Sequence, residues 1–111
     1  MTTSNGNLMR NTGLTEKDLV QLRSVLKKFP KIEQALIFGS RAKGTHKPGS
    51  DVDLALKGSE LTPEAATRVS YLLNEETMMP YAFDVLQFEA ISSPELTDHI
   101  NRVGVRIHPE T

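Results

Sequence analysis

The sequence predicts an α/β (α+β) fold, a small mixed β-sheet with helices packed on it. Apolar residues repeat at helical spacing in three separate stretches. Between them stand short runs that are continuously apolar or alternate with period two. The order along the chain is helix, strand, strand, helix, strand, helix, with room for a final edge strand.

Residues 1–13 are rich in Thr, Ser, Asn and Gly and read as a disordered tail, which leaves residues 14–108 as a single domain. The first helix starts at Thr15, with Asp18 at the capping-box position and Leu14 able to staple onto Leu19. Leu19, Leu22, Leu26 and Phe29 then repeat with Val25 beside them, and Pro30 stops the helix. Ala35 to Phe38 is an apolar run ended by Gly39, as a buried strand would be. From Gly39 to Ser50 the chain is small, basic and turn-rich, with space for one or two helical turns. Asp51 to Leu56 alternates, placing Val52, Leu54 and Leu56 on one face and Asp51 and Asp53 on the other.

Thr62 caps a second helix, with Pro63 at its first position and Glu64 in its positive first turn. Ala65, Val69, Leu72 and Leu73 mark its apolar face, and Pro80 bars continuation. Tyr81 to Phe88 is the third strand, with Asp84 between Phe83 and Val85. The last helix starts at Ser93-Pro94, runs through Leu96, Ile100 and Val103, and ends at Gly104. Val105 to His108 is available as the edge strand.

A chain of 111 residues suits one domain with a real core, and its 38% hydrophobic and 24% charged content is ordinary for a soluble protein. No apolar run reaches the length of a membrane span, and the polar N-terminus lacks the apolar stretch of a signal peptide. With no cysteine there is neither a disulfide framework nor a thiolate zinc site, and the expected location is the cytoplasm. Thirteen basic and fourteen acidic residues give a net charge of −1, which argues against a nucleic-acid-binding module.

Three pieces could carry chemistry. In Gly39-Ser40-Arg41-Ala42-Lys43-Gly44 a strand runs into a glycine and a hydroxyl with positive charge behind them, a turn suited to phosphate. Thr45 and His46 stand where a P-loop needs Lys and Ser or Thr, so that loop is excluded. In Ser50-Asp51-Val52-Asp53-Leu54, two carboxylates at i and i+2 point the same way, which suits two oxygen-ligated Mg²⁺ ions. Taken alone, it equally suits a solvent-facing strand. Ala55 and Leu56 exclude an EF-hand. Asp84 lies in an apolar strand, where it needs a cation or a basic side chain, or else an edge position. A phosphate turn, a carboxylate pair and a third carboxylate on a later strand together make a two-metal site. His46, His99 and His108 are scattered without metal-ligand spacing, and Tyr81 reads as core or rim.

From Ile32 to Phe88 these motifs resemble the DNA polymerase β-like nucleotidyltransferases. The short Gly-Ser-Arg and Ser-Asp-x-Asp-Leu forms are similar to the minimal nucleotidyltransferase (MNT) family. The resemblance implies a polymerase β palm-like fold and transfer of a nucleoside monophosphate, AMP from ATP, to a hydroxyl with release of pyrophosphate. It implies that Asp51 and Asp53 bind two Mg²⁺ ions, with Mn²⁺ as a substitute, and that Asp84 binds the ion carrying the acceptor. Gly39 and Ser40 would hold the β- and γ-phosphates, supported by Arg41 and Lys43, with Ser50 also in the nucleotide site. Little follows Phe88, so the acceptor is expected on another chain. For the MNT family that chain is a HEPN-domain toxin, with the nucleotidyltransferase as its antitoxin. The alternatives are a non-catalytic module that neutralises a partner by contact, and a small-molecule (aminoglycoside-like) transferase that needs a separate substrate-binding subunit.

Overall fold

Thr15 caps the first helix as the sequence requires. Its hydroxyl accepts from the Asp18 N–H and the Asp18 carboxylate accepts from the Thr15 N–H, each at 3.0 Å, which closes the capping box of α1 (Glu16–Leu26). A computed structural model describes residues 12–109 of the chain. After α1 come β1 (Gln34–Phe38), the single turn α2 (Ser40–Lys43), β2 (Val52–Lys57) and α3 (Pro63–Glu75). β3 (Phe83–Gln87) follows, then a 3₁₀ turn (Phe88–Ala90), α4 (Pro94–Val103) and β4 (Val105–His108).

The sheet is mixed, in the order β3-β2-β1-β4. β1 is antiparallel to β2 and β4, whereas β2 and β3 run parallel, joined by the crossover that contains α3. One face of the sheet carries Ile37, Val52, Leu54 and Leu56. Leu22 and Leu26 of α1 and Val69 and Leu73 of α3 pack on it. The opposite face has a smaller cluster of Phe38, Ala55 and Ile100, covered by α4. The carboxylates sit on this second face, because Asp53 shares the parity of Ala55 and pairs across β1 with Phe38. Among the described residues no helix is long and apolar enough to cross a membrane.

Four boundaries differ from the sequence expectation. The tail falls largely on residues 1–11, which lie outside the described residues, but its last two residues are packed: Thr12 is fully buried and Gly13 makes a turn at φ +79°. α1 ends at Leu26, and Phe29 is reached through i→i+3 turns, from the Lys28 N–H to Val25 and from the Phe29 N–H to Leu26. The residue before a proline is held out of the helical region, which forces this exit. α3 ends at Glu75, well before Pro80. The Asn74 side chain then clasps the backbone of Phe83, accepting from its N–H at 2.7 Å and donating to its carbonyl at 3.0 Å. β3 spans Phe83–Gln87 rather than Tyr81 to Phe88, because Leu56↔Gln87 is its last pairing with β2 before the chain turns at Gly58.

Tyr81 thus precedes the strand and donates its hydroxyl proton to Asp18 Oδ2 at 2.7 Å. Burial pushes the Asp18 carboxyl up, but hydrogen bonds from the Thr15 backbone, Tyr81 and the Thr15 hydroxyl, with the charge of Arg41, bring it below its ordinary value. A depressed carboxyl contributes stability above its unfolded value, about 3.9, and loses it as pH falls toward the folded value. Tyr81→Phe should therefore cost about 1–2 kcal/mol in urea denaturation at pH 7. The cost should shrink in acid once Asp18 is protonated.

Candidate active site

β2 emerges from the core with Val52 and Leu54 fully buried and Asp53 between them half-buried on the other face. Its partners fix what lies beside it: Phe38 of β1 on one side and Asp84 of β3 on the other, in direct register. Asp84 is exposed although its strand is apolar, because β3 is an edge strand and Phe83 takes the core position beside it. Asp51 is exposed at the mouth of β2. Burial first, then the charges of Asp84 and Asp51, raise the Asp53 carboxyl above its ordinary value, while His99 acts the other way. As the side chains lie, no three carboxylate or imidazole groups among the described residues surround one point closely enough to hold a metal ion. The carboxylates line a rim.

Phe38 leads into Gly39, whose φ of +75° and ψ of −151° belong to a region essentially reserved for glycine. A Cβ there would collide with Asp53 Oδ2. The backbone of the turn therefore lies directly on the carboxylate. α2 follows, and the N–H groups of its first turn have no intrahelical acceptor. Ser40 is half-buried and Lys43 exposed at this turn. Gly44 ends α2 at φ +75°.

Two residues expected to contact nucleotide are engaged elsewhere. Arg41 is only 2% exposed. Its Nη1 donates to the Thr12 carbonyl at 2.7 Å, its Nε and Nη2 donate to the Ser50 carbonyl at 3.2 and 2.9 Å, and its guanidinium lies 4.9 Å from the Tyr81 ring centre. Arg41 therefore ties the loop to the body through Thr12 and Ser50. Ser50 spends its oxygens within the loop as well: its hydroxyl accepts from the Lys47 N–H at 2.9 Å and its carbonyl receives Arg41.

His99, which has no metal-ligand spacing in the sequence, also reaches this turn. Its Nε2 accepts from the Gly39 N–H at 3.2 Å, and its ring meets Phe38 edge-on at 6.2 Å. The available signal was its place on α4: Leu96, His99, Ile100 and Val103 stand at i, i+3, i+4 and i+7, so an imidazole interrupts the inward stripe. Asn74 was missed, and nothing in its local sequence marks it.

The family described as Polymerase beta, Nucleotidyltransferase matches residues 20–110. Comparison with curated protein sequences gives no match. Among solved structures, the chain is similar to one in a toxin–antitoxin crystallised with AMP-PNP, at 22% identity and a TM-score of 0.66, covering 85% of this chain and 73% of that one. A toxin–antitoxin MntA-HepT structure gives 17% identity and a TM-score of 0.64, covering 84% and 71%. A complex of tri-AMPylated Shewanella oneidensis HEPN toxin with MNT antitoxin gives 18% and 0.61, covering 80% and 67%.

Crowding at Asp53 has a measurable sign. A carboxyl raised in the folded state costs stability once pH rises through the interval between its unfolded and folded values, and costs nothing below it. Asp53→Asn should accordingly melt above the parent at pH 7 without added cations. The difference should vanish below about pH 4, the ordinary carboxylate range, in thermal denaturation across pH.

Proposed function

The chain belongs to the polymerase β nucleotidyltransferase family, and we propose that it transfers AMP from ATP to a hydroxyl of a HEPN-domain partner, releasing pyrophosphate, as the antitoxin of a toxin–antitoxin pair. One observation carries the reading: Phe38, Asp53 and Asp84 are in register across three strands, so the turn that follows Phe38 opens directly beside the carboxylates. The choice of adenylate and of partner rests on the relatives, one crystallised with AMP-PNP and another an MNT antitoxin bound to a tri-AMPylated HEPN toxin.

The donor set fits divalent cations. Asp51, Asp53 and Asp84 bring hard oxygen donors to one rim, and burial together with the charges of Asp84 and Asp51 raises the Asp53 carboxyl. Asp51, Asp53 and Asp84 would hold them. Mg²⁺ or Mn²⁺, when bound, would supply the positive charge that offsets the triphosphate and favours the leaving pyrophosphate. The protein's own groups do the positioning. The Ser40 hydroxyl and the open N–H groups of α2 donate to phosphate oxygens, and Lys43 adds charge from the exposed side of the turn. Asp84, exposed at the sheet edge, is where an acceptor hydroxyl can approach and leave its proton. Arg41 keeps the loop in place from below. Catalysis of this kind rests on orientation and charge rather than on a covalent intermediate.

Two measurements test the proposal. Mg²⁺ with a non-hydrolysable ATP analogue should raise the melting temperature of the parent but not of Asp53→Asn, since only a ligand of the native state stabilises it. With ATP and the HEPN partner, the parent should add adenylate masses to the partner, and Asp84→Asn should slow this by at least about 10²-fold. Full neutralisation of the partner by Asp53→Asn would instead identify an antitoxin acting by contact.

A further inference from the structure

We propose that His99 is a positioning residue of the nucleotide site, holding the Gly39 N–H so that the Gly39-Ser40 turn keeps its shape and presents its later donors. The proposal rests on the nucleotidyltransferase reading above.

Gly39 adopts a backbone conformation closed to other residues and lies against the Asp53 carboxylate. Such a conformation persists only where its surroundings over-determine it. The Lys43 N–H donates to the Gly39 carbonyl at 3.2 Å from within α2, and Asp53 blocks one side. A further restraint is His99 Nε2, which accepts the Gly39 N–H from a helix 60 residues further along the chain. The imidazole is itself held in place. Its ring meets Phe38, the residue before Gly39, at 80° between planes, and its neighbour Ile100 is fully buried against Phe38 and Ala55.

Two consequences follow from the chemistry of the ring. To accept at Nε2, a neutral His99 carries its proton on Nδ1. The Gly39 N–H is then committed to the protein, so the triphosphate's first backbone contacts fall to Ser40 and the residues after it. His99 acts on nucleotide through Gly39 without touching it, and so α4 is coupled to the shape of the phosphate turn.

The test begins with the intact, ¹⁵N-labelled protein: a scalar coupling across the hydrogen bond should join the Gly39 amide nitrogen to His99 Nε2. Its absence would overturn the proposal. Binding of Mg·AMP-PNP is then measured for the parent, His99→Ala and His99→Gln, because glutamine offers a carbonyl acceptor of similar reach. His99→Ala should bind about tenfold more weakly, the effect of one lost hydrogen bond, with Asp53→Asn as the non-binding reference. His99→Gln should recover most of the loss. Equal affinity in all three, or a glutamine variant no better than alanine while both remain folded, would overturn the positioning role. A parent that binds no Mg·AMP-PNP would overturn the functional reading and with it the phosphate role. The coupling would still decide whether His99 holds Gly39.

Discussion

β2 runs between β1 and β3 with Leu54, Ala55 and Leu56 all inaccessible to solvent, so it cannot slip by one residue without driving Asp53 into the core and Leu54 out of it. That register fixes everything at the site. It sets Asp53 opposite Phe38, so the Gly39 backbone lands on the carboxylate. It also sets Asp53 opposite Asp84, so two acidic side chains share one edge of the sheet. The parallel pairing of β2 with β3 requires a crossover, and α3 supplies it on the face away from the carboxylates. The acidic face is covered instead by α4 over Phe38 and Ala55, which leaves Asp51 and Asp84 exposed.

The site opposes the stability of the protein that contains it. Three carboxylates near one another repel, and Gly39 is held in a costly backbone conformation. The offset comes from the opposite face of the same strand, where Val52, Leu54 and Leu56 are fully buried against α1 and α3. Each such side chain contributes about 1.5–3 kcal/mol. The device is simple: one strand uses one face to hold itself in place and the other to carry charge.

The basic residues of the glycine-rich turn divide by the same logic. Arg41 points inward and joins Thr12, Ser50 and Tyr81, while Tyr81 in turn reaches Asp18 in the capping box of α1. Planar guanidinium geometry allows several directed bonds at once, which a lysine could not reproduce. Lys43 is exposed to solvent. The loop is therefore braced from beneath by Arg41 and from the side by His99, although only Arg41 belongs to the local motif.

The sequence by itself determined the element types and the mixed sheet, and it marked the turn at Gly39 and the carboxylates Asp51, Asp53 and Asp84. These signals are local: period two on β2, period 3.6 on the helices, caps at Thr15, Thr62 and Ser93, and turn residues between them. Strand ends were misread where they depend on a neighbour, as when β3 stops because β2 turns at Gly58. Which basic residue faces the protein and which faces solvent was decided only by tertiary structure. Arg41 and Lys43 sit two residues apart on one turn, and nothing in their own neighbourhood tells that one meets Tyr81 and the other meets water. Asn74 was invisible for the same reason, and His99 showed only as a break in the apolar stripe of its helix. Their partners, Gly39 and Phe83, come within hydrogen-bonding distance only once α4 and α3 have packed against the sheet.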